Sequence, residues 1–367
     1  MTRGRIIGIV LGAAALVATA SLLVARRGAT TERAAGAPFL AGLEARAGEI
    51  AAVEVLRGNA TVRLERAGDG SWTVASSDGY PARGELVRAL LVSLAGLTVE
   101  DRMTAKKERH GELGLAWPDP EGKARLVRFL SAGPGAAPVG ELVVGEERFS
   151  PDAVFVRLPG QDQTWRTRGR VQVPADALAW LDRTLFALPA GETVEARLDG
   201  ITLRAPEAVT EAPAAPPSAW TATVEDAEVP HWTEAQRESA RTGLPSFLDR
   251  LELDGVRRAR ADAAKEPRWS PYFETRSATV MLRGHREADG TWFTVEVTPK
   301  PGAAAAEPPK REGDPYVPDW GKLATSLAGW EFRMPAWKAD TLARMRAPAE
   351  TPAPGGIDQE EPPVPLR

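Results

Sequence analysis

Residues 278–295 read ATVMLRGHREADGTWFTV, and this stretch decides the fold class. Apolar and polar side chains alternate from Ala278 to Leu282, as in a strand that is buried on one face. Asp289-Gly290-Thr291 is a turn signal, and residues 292–295 return as a second strand. The stretch therefore predicts an antiparallel β-hairpin.

The same order of strand, turn and strand occurs earlier in the chain. Residues 60–66 alternate, Gly68-Asp69-Gly70-Ser71 is a turn signal, and Trp72 begins a return strand. A third, degenerate copy runs from residues 201–203 across a proline-rich loop to residues 220–224. The recurrence predicts tandem β-hairpin units.

Amphipathic helix signals follow the hairpins. Thr233-Glu234-Ala235-Gln236 is a capping-box signature, and this helix is interrupted at Gly243-Leu244-Pro245 before it resumes through Leu251. Asp319 can cap a later helix, and Pro174 can occupy the first turn of another. A helix after the first hairpin would have an apolar face of Leu86, Leu90, Leu94 and Leu97. The helix capped by Asp319 would have Leu323, Leu327 and Trp330 on its apolar face, and the helix that begins at Pro174 would have Leu178, Leu181, Leu185 and Leu188.

The stretch between the first two copies adds strands at residues 125–130, 141–145, 153–158 and 164–167. Strands of this length with intervening helices predict an α+β fold. Its antiparallel sheets would each be covered on one face by helices.

The N-terminal segment differs in character from the rest. Residues 6–24 contain no charge, and nineteen residues of helix would span about 28 Å, close to the hydrocarbon thickness of a bilayer. Ala18-Thr19-Ala20 fits a signal-peptide cleavage site, but the apolar run continues past it. We therefore favour a single transmembrane anchor over a cleaved signal. A five-residue tail before the anchor favours a cytoplasmic N-terminus, a bacterial inner-membrane location and a periplasmic body.

Proline-rich stretches at residues 205–219 and 299–315 resemble linkers or long loops. They suggest four segments. These are an anchor at residues 1–27, a first α+β domain at 38–204, a second α+β region with two further hairpin–helix units at 205–346, and a disordered tail at 347–367.

Composition excludes several classes of site. The chain has no cysteine and three histidines, so a disulfide framework, a thiolate metal site and a catalytic cysteine are excluded. A net charge of −4 argues against a nucleic-acid partner. His110, His231 and His285 are far apart and match no metal-binding spacing. The sequence thus predicts no catalytic, cofactor-binding or metal residue and no cofactor, and indicates that the chain is not an enzyme. A hydrolase that uses two carboxylates is the enzymatic alternative.

The order of elements resembles a bacterial family of unknown function whose members are membrane-anchored, exported and commonly encoded beside gliding-motility-type ABC transporters. The matching residues include Val62-Arg63-Leu64, Asp69-Gly70-Ser71-Trp72, Leu113-Gly114-Leu115, Leu142-Val143-Val144-Gly145 and Val154-Phe155-Val156-Arg157. Gly84 departs from the family pattern, which has an acidic residue there. The resemblance implies a location and a neighbourhood rather than a chemistry.

These observations predict a non-catalytic, membrane-anchored envelope protein that acts in binding or assembly, as an accessory to an ABC-transporter complex. Its partners would be the membrane, through residues 6–24, and envelope proteins such as transporter subunits. The eleven tryptophans leave an alternative open, a module that binds glycan or another envelope ligand on a stacking platform. Core filling is the competing explanation for any one of these tryptophans.

Overall fold

The structure is a computed structural model that describes residues 33–119, 123–133, 135, 137–206, 220–224, 232–260, 269–302, 311 and 314–346. The expected anchor at residues 6–24 and the expected tail at 347–367 lie outside these residues. Within the part of the chain that is described, no helix has the length and apolar character needed to cross a membrane. The chain divides into two compact units, Met1–Leu181 and Asp182–Arg367.

Most of the first unit is one antiparallel sheet. Its strands are β1 (Ile50–Arg57), β2 (Ala60–Arg66), β3 (Trp72–Val74), β4 (Tyr80–Pro81), β5 (Thr98–Arg102), β6 (Arg125–Ser131), β7 (Pro138–Phe149), β8 (Asp152–Arg157) and β9 (Thr164–Arg168). They are ordered β4-β3-β2-β1-β6-β7-β8-β9-β5. The predicted hairpin of β2 and β3 is present, with Leu64 opposite Val74.

The core of the first unit follows from the register. Val53 lies opposite both Leu64 and Phe129, and all three side chains are fully buried. Leu126 and Val143 pair on neighbouring strands and form a second buried cluster with Leu115, Ala124 and Phe155. Adjacent residues of a strand point to opposite faces, so the middle of this sheet is buried on both faces.

One α-helix, α1 (Gly84–Ala95), and four short 3-10 helices complete the described part of the first unit. The 3-10 helices are Ala47–Glu49, Ala75–Ser77, Lys107–Leu113 and Ala177–Trp180. The leucine spacing predicted α1, which buries Val87, Leu90 and Leu94.

The second unit is built on another antiparallel sheet. Its elements are β10 (Thr184–Phe186), β11 (Thr193–Leu198), β12 (Ile201–Arg204), β13 (Thr221–Val224), α2 (Glu234–Gly243), β14 (Leu251–Glu252), β15 (Gly255–Arg258), β16 (Tyr272–Thr275), β17 (Ala278–Glu287), β18 (Gly290–Pro299), α3 (Trp320–Leu327), β19 (Trp330–Met334) and α4 (Ala336–Met345). The large sheet has the order β13-β12-β11-β16-β17-β18-β19-β15, and β10 pairs with β14 separately. Together, the two units confirm an α+β fold of mainly antiparallel sheets.

Local signals place several elements of the second unit correctly. The β17–β18 hairpin pairs from Ala278 opposite Pro299 to Glu287 opposite Gly290. The capping box at Thr233 forms with Gln236, and the Asp319 side chain accepts a hydrogen bond from the Lys322 amide. The degenerate copy is also paired, since β12 and β13 are antiparallel neighbours.

The predicted helix through Leu178, Leu181, Leu185 and Leu188 is wrong. A 3-10 helix at Ala177–Trp180 ends the first unit, and residues 184–186 form β10, which pairs with β14. The Asp182 side chain accepts a hydrogen bond from the Thr184 amide at 3.1 Å, a local bond that competes with helix. A short apolar run is compatible with both the helical and the strand period. This run forms a strand because Phe186 pairs with Leu251, which lies 65 residues further along the chain.

Two further expectations differ from the structure. The helix that was predicted to resume through Leu251 ends instead at Gly243, and Leu251 begins β14. The two units divide between Leu181 and Asp182, whereas the sequence places the boundary at residues 204–205. The strands β11 and β12 belong to the second sheet because β11 pairs with β16.

A close approach of an indole ring to the backbone organises the core of the second sheet. Trp269 forms an isolated bridge with Gly284, and a Cβ atom on Gly284 would stand 1.7 Å from Trp269 Cζ2. The ring centroid of Trp269 lies 6.3 Å from that of Phe293, which lies 5.9 Å from that of Phe332. Only glycine at position 284 leaves room for this ring.

Replacing Gly284 with alanine should therefore lower the free energy of unfolding by about 1–3 kcal/mol, because Trp269 must leave its position. Urea unfolding followed by tryptophan fluorescence measures this. Gly321→Ala is the control, because its Cβ would meet the Asp319 carboxylate at an ordinary 3.6 Å and alanine favours helix. Equal stability of Gly284→Ala and the wild type would contradict the close approach.

Candidate functional site on the second sheet

Five polar residues meet on one face of the second sheet. His285 and Glu287 are two residues apart on β17, so their side chains share a face. On β19, Glu331 lies directly opposite Arg257 of the edge strand β15. Arg260 follows β15 and reaches the same place. We call Arg257, Arg260, His285, Glu287 and Glu331 the carboxylate–arginine cluster.

Glu331 is the buried centre of the cluster, with 0% of its side chain exposed. Its Oε2 atom accepts a hydrogen bond from Arg257 Nε at 2.7 Å. Its Oε1 atom has no hydrogen-bond partner. An ionised carboxylate in such a place is costly unless a cation compensates it, so Arg257 is essential to the local structure.

Glu287 is held by the other end of the same guanidinium. Arg257 Nη2 and Nη1 donate to its two oxygens at 2.6 and 3.1 Å, and Arg260 also donates to it. The hydrogen bonds from Arg257 lower the pKa of Glu287 to about 2. Burial by itself lowers the pKa of Arg257, but its bonds to Glu287 and Glu331 outweigh burial and raise it. Arg257 and Glu287 therefore both remain ionised at neutral pH.

An indole ring supports the guanidinium from below. The Arg257 guanidinium carbon lies 3.8 Å from the ring centroid of Trp292, which is directly opposite His285 on β18. Trp292 is buried, and its Nε1 donates to Asp289 Oδ1 at 3.0 Å. Cation–π stacking and the three hydrogen bonds together fix Arg257 in one orientation.

His285 occupies an ambiguous position. Its Nε2 atom lies 2.7 Å from Glu287 Oε1, 2.8 Å from Arg260 Nη2 and 3.6 Å from Glu331 Oε1. A protonated Nε2 donates to a carboxylate, whereas an unprotonated one accepts from the guanidinium, and one nitrogen cannot do both. One ligand atom each from His285, Glu287 and Glu331 lie within 4.8 Å of one another, so these residues can hold a metal ion.

A cleft of about 350 Å³ lies between the β17–β18 turn and helix α4. Its walls carry both signs of charge, with Arg286, Arg333 and Arg346 alongside Asp254, Asp289 and Asp340. Arg333 Nη2 donates to the Asp254 carbonyl at 2.6 Å, and Arg346 pairs with Asp199 at 2.8 Å. The mixed lining favours no single sign of ligand charge.

A second buried ionisable group lies on the α4 helix. Lys338 places its ammonium 4.3 Å from the ring centroid of Phe247, and burial lowers its pKa to about 8. Burial also raises the pKa of nearby Asp249, whose Oδ1 has no hydrogen-bond partner. Both shifts oppose ionisation, and burial is the largest cause of each.

The three histidines have different fates. His110 is buried, and its Nε2 lies 2.8 Å from the Asp162 carbonyl, as in a structural hydrogen bond. His231 lies outside the described residues. His285 joins the cluster, although the sequence offered no site residue. The sequence did show that His285 and Glu287 lie two residues apart on a predicted strand, and therefore on one face. It could not show that Glu331 and Arg257 join them, because these residues are distant in sequence.

The two carboxylates of the cluster bear on the hydrolase alternative. Glu287 and Glu331 share the guanidinium of Arg257, whereas a carboxyl pair that hydrolyses a substrate must exchange protons freely. Three of their four oxygens accept hydrogen bonds from Arg257, and Glu331 Oε1 is the exception.

The tryptophans mostly fill the core. Trp72 and Trp117 are half-buried, and Trp337 exposes 56% of its surface. The remaining eight are buried, namely Trp165, Trp180, Trp220, Trp232, Trp269, Trp292, Trp320 and Trp330. Stacking on a sugar ring would therefore rest chiefly on Trp337.

A family model described as a domain of unknown function (DUF4340) matches residues 72–268, which is more than half of the chain. The chain belongs to this family. No curated protein and no solved structure matches the chain. The family match confirms the resemblance to a family of unknown function and includes Arg257 and Arg260, while His285, Glu287 and Glu331 follow it in sequence.

Because Glu331 would be left buried without the one cation that is hydrogen-bonded to it, Arg257→Leu should lower the free energy of unfolding by about 3–5 kcal/mol. Chemical unfolding monitored by circular dichroism measures this loss. The matched control is Arg283→Leu on β17 of the same sheet, where Arg283 pairs with the exposed Glu296 at 2.7 Å. That change should cost less than about 1 kcal/mol. Similar losses in both variants would show that Arg257 contributes no more to stability than an exposed ion pair does.

A second prediction concerns pH. Glu287→Gln should destabilise the protein by about 1–2 kcal/mol at pH 7, a value reduced for partial solvent exposure. Since the pKa of Glu287 is lowered from 4.5 to about 2, its contribution is complete above about pH 4.5 and is lost as the pH falls toward 2. The stability difference between the two proteins should therefore shrink as the pH falls from 7 to 3. A difference that stays constant over this range would contradict the ion pairing.

Proposed function

We propose that this chain is a non-catalytic, membrane-anchored component of the bacterial cell envelope that binds and helps to assemble an ABC-transporter complex. The uncharged run at residues 6–24 supports an inner-membrane anchor. The absence of cysteine is compatible with the oxidising periplasm.

The observation that carries the binding role is the exposure of two large aromatic side chains. Phe149, at the end of β7 in the first unit, exposes 69% of its surface, and Trp337, on α4 in the second, exposes 56%. Exposed aromatic residues are over-represented among the residues that dominate protein interfaces. Each unit thus presents one candidate anchor for a protein partner.

The state of the carboxylate–arginine cluster supports the same proposal. Its carboxylates are bonded to guanidinium groups of the chain itself, and its strongest bonds join strands of one sheet. Such a cluster stabilises a binding surface and has little acid–base chemistry to offer.

The full-length chain, crosslinked in native membranes and then captured, should bring down ABC-transporter subunits in amounts comparable to itself. Phe149→Ser and Trp337→Ser should each lower that recovery about fivefold or more, because each removes an aromatic side chain that the partner would bury in the complex. Val92→Ser is the control, since Val92 exposes 66% of its surface but carries no ring. Quantitative mass spectrometry measures the recovery.

Repeated capture without any transporter subunit would overturn the proposal. The alternative, a module for glycan or another envelope ligand, is favoured by the exposed ring of Trp337. It predicts that cell-wall polysaccharide changes the fluorescence of the wild type and leaves that of Trp337→Ser unchanged.

A further inference from the structure

The buried oxygen of Glu331 that lacks a hydrogen-bond partner indicates that the cluster has capacity for another ligand. Glu331 Oε1 has no hydrogen-bond donor, although its side chain is fully buried. The nearest cluster nitrogen, His285 Nε2, lies 3.6 Å away, beyond hydrogen-bonding distance. A buried carboxylate oxygen normally has a proton, a water or a cation beside it.

The donor atoms around this oxygen have the chemistry and spacing of a metal site. Ligand atoms about 2.1 Å from a tetrahedral zinc ion lie about 3.4 Å from one another. His285 Nε2 and Glu331 Oε1 are 3.6 Å apart, which is close to this spacing. Glu287 Oε1 lies 2.7 Å from the same nitrogen, so it must move outward by about 0.7 Å to bind the same ion. An imidazole nitrogen with two carboxylate oxygens favours zinc over magnesium or calcium, which prefer oxygen alone.

A cationic group already lies against these ligand atoms. Arg260 Nη2 is 2.8 Å from His285 Nε2 and also bonds to Glu287, while Arg260 Nε is 3.8 Å from Glu331 Oε2. The Arg260 side chain is 47% exposed, so it can turn into water. Arg257 is fixed on Trp292 and would remain to orient both carboxylates from outside the metal's coordination shell.

We propose that His285, Glu287 and Glu331 form a zinc site in which Zn²⁺ replaces the guanidinium of Arg260. The ion binds the unprotonated Nε2 of His285 and one oxygen of each carboxylate, and Arg260 moves into solvent. Arg260 takes one positive charge into solvent and Zn²⁺ brings two, so the net charge of the inner cluster rises by one unit. The zinc ion then links β17 to β19 through three ligands.

The test is calorimetric titration of the full-length, EDTA-treated and dialysed protein with ZnCl₂. We expect one saturable site with a dissociation constant below about 100 μM, and no competition from millimolar MgCl₂. His285→Gln and Glu331→Gln should weaken binding about tenfold or more. Arg260→Ala should tighten binding about tenfold, because the competing cation is removed. Cobalt(II), added alone, should give visible absorption that is lost in His285→Gln.

Controls separate this site from adventitious binding and from misfolding. Glu296→Gln alters an exposed carboxylate of the same hairpin and should leave zinc affinity unchanged. If Glu331→Gln unfolds, His285→Gln still tests the site, because the bonds of Arg257 to both carboxylates remain. Three results would each overturn the proposal: no saturable binding below about 1 mM zinc, the same affinity in His285→Gln as in the wild type, or weaker binding in Arg260→Ala.

Discussion

Glu331 is a carboxylate without exposed surface on the second sheet, and the arrangement of the sheet around it depends on compensating that charge. Removing an ion from water costs several kcal/mol unless a counter-ion with good geometry repays it. Arg257 provides this counter-ion from the edge strand β15, where it lies directly opposite Glu331. The same guanidinium crosses the ring of Trp292 on β18 and reaches Glu287 on β17. One side chain thereby ties together four consecutive strands.

This compensation also determines what the site can do. The Arg257 side is rigid, because stacking and hydrogen bonds hold the guanidinium from three directions. The Arg260 side is open to solvent and its bonds can be exchanged. Because Arg257 is fixed and Arg260 is exchangeable, the cluster is suited to stabilising the surface of the sheet and to accepting a metal ion in place of the Arg260 guanidinium. The exposed aromatic rings of Phe149 and Trp337 are a more direct indication of binding.

Local signals in the sequence predicted a large part of the fold. The β2–β3 and β17–β18 hairpins, the capping box at Thr233 and the cap at Asp319 lie where the sequence placed them. The signal for each lies in residues that are close in sequence, so its position can be predicted without knowledge of the rest of the chain. The prediction failed at residues 178–188, where the leucine spacing fits a helix. The strand Thr184–Phe186 forms there because its partner, Leu251–Glu252, lies far along the chain.

The sequence by itself determined the class of the fold, the hairpins and the scarcity of catalytic residue types, because alternation, turn residues and composition are read locally. Only the tertiary structure decided that His285, which looked isolated, lies beside two carboxylates and the guanidinium group of Arg260. The members of that cluster are spread from Arg257 to Glu331, and the register of β15, β17 and β19 brings them onto one face. Such a register is set by the burial of the whole sheet, and no single segment encodes it.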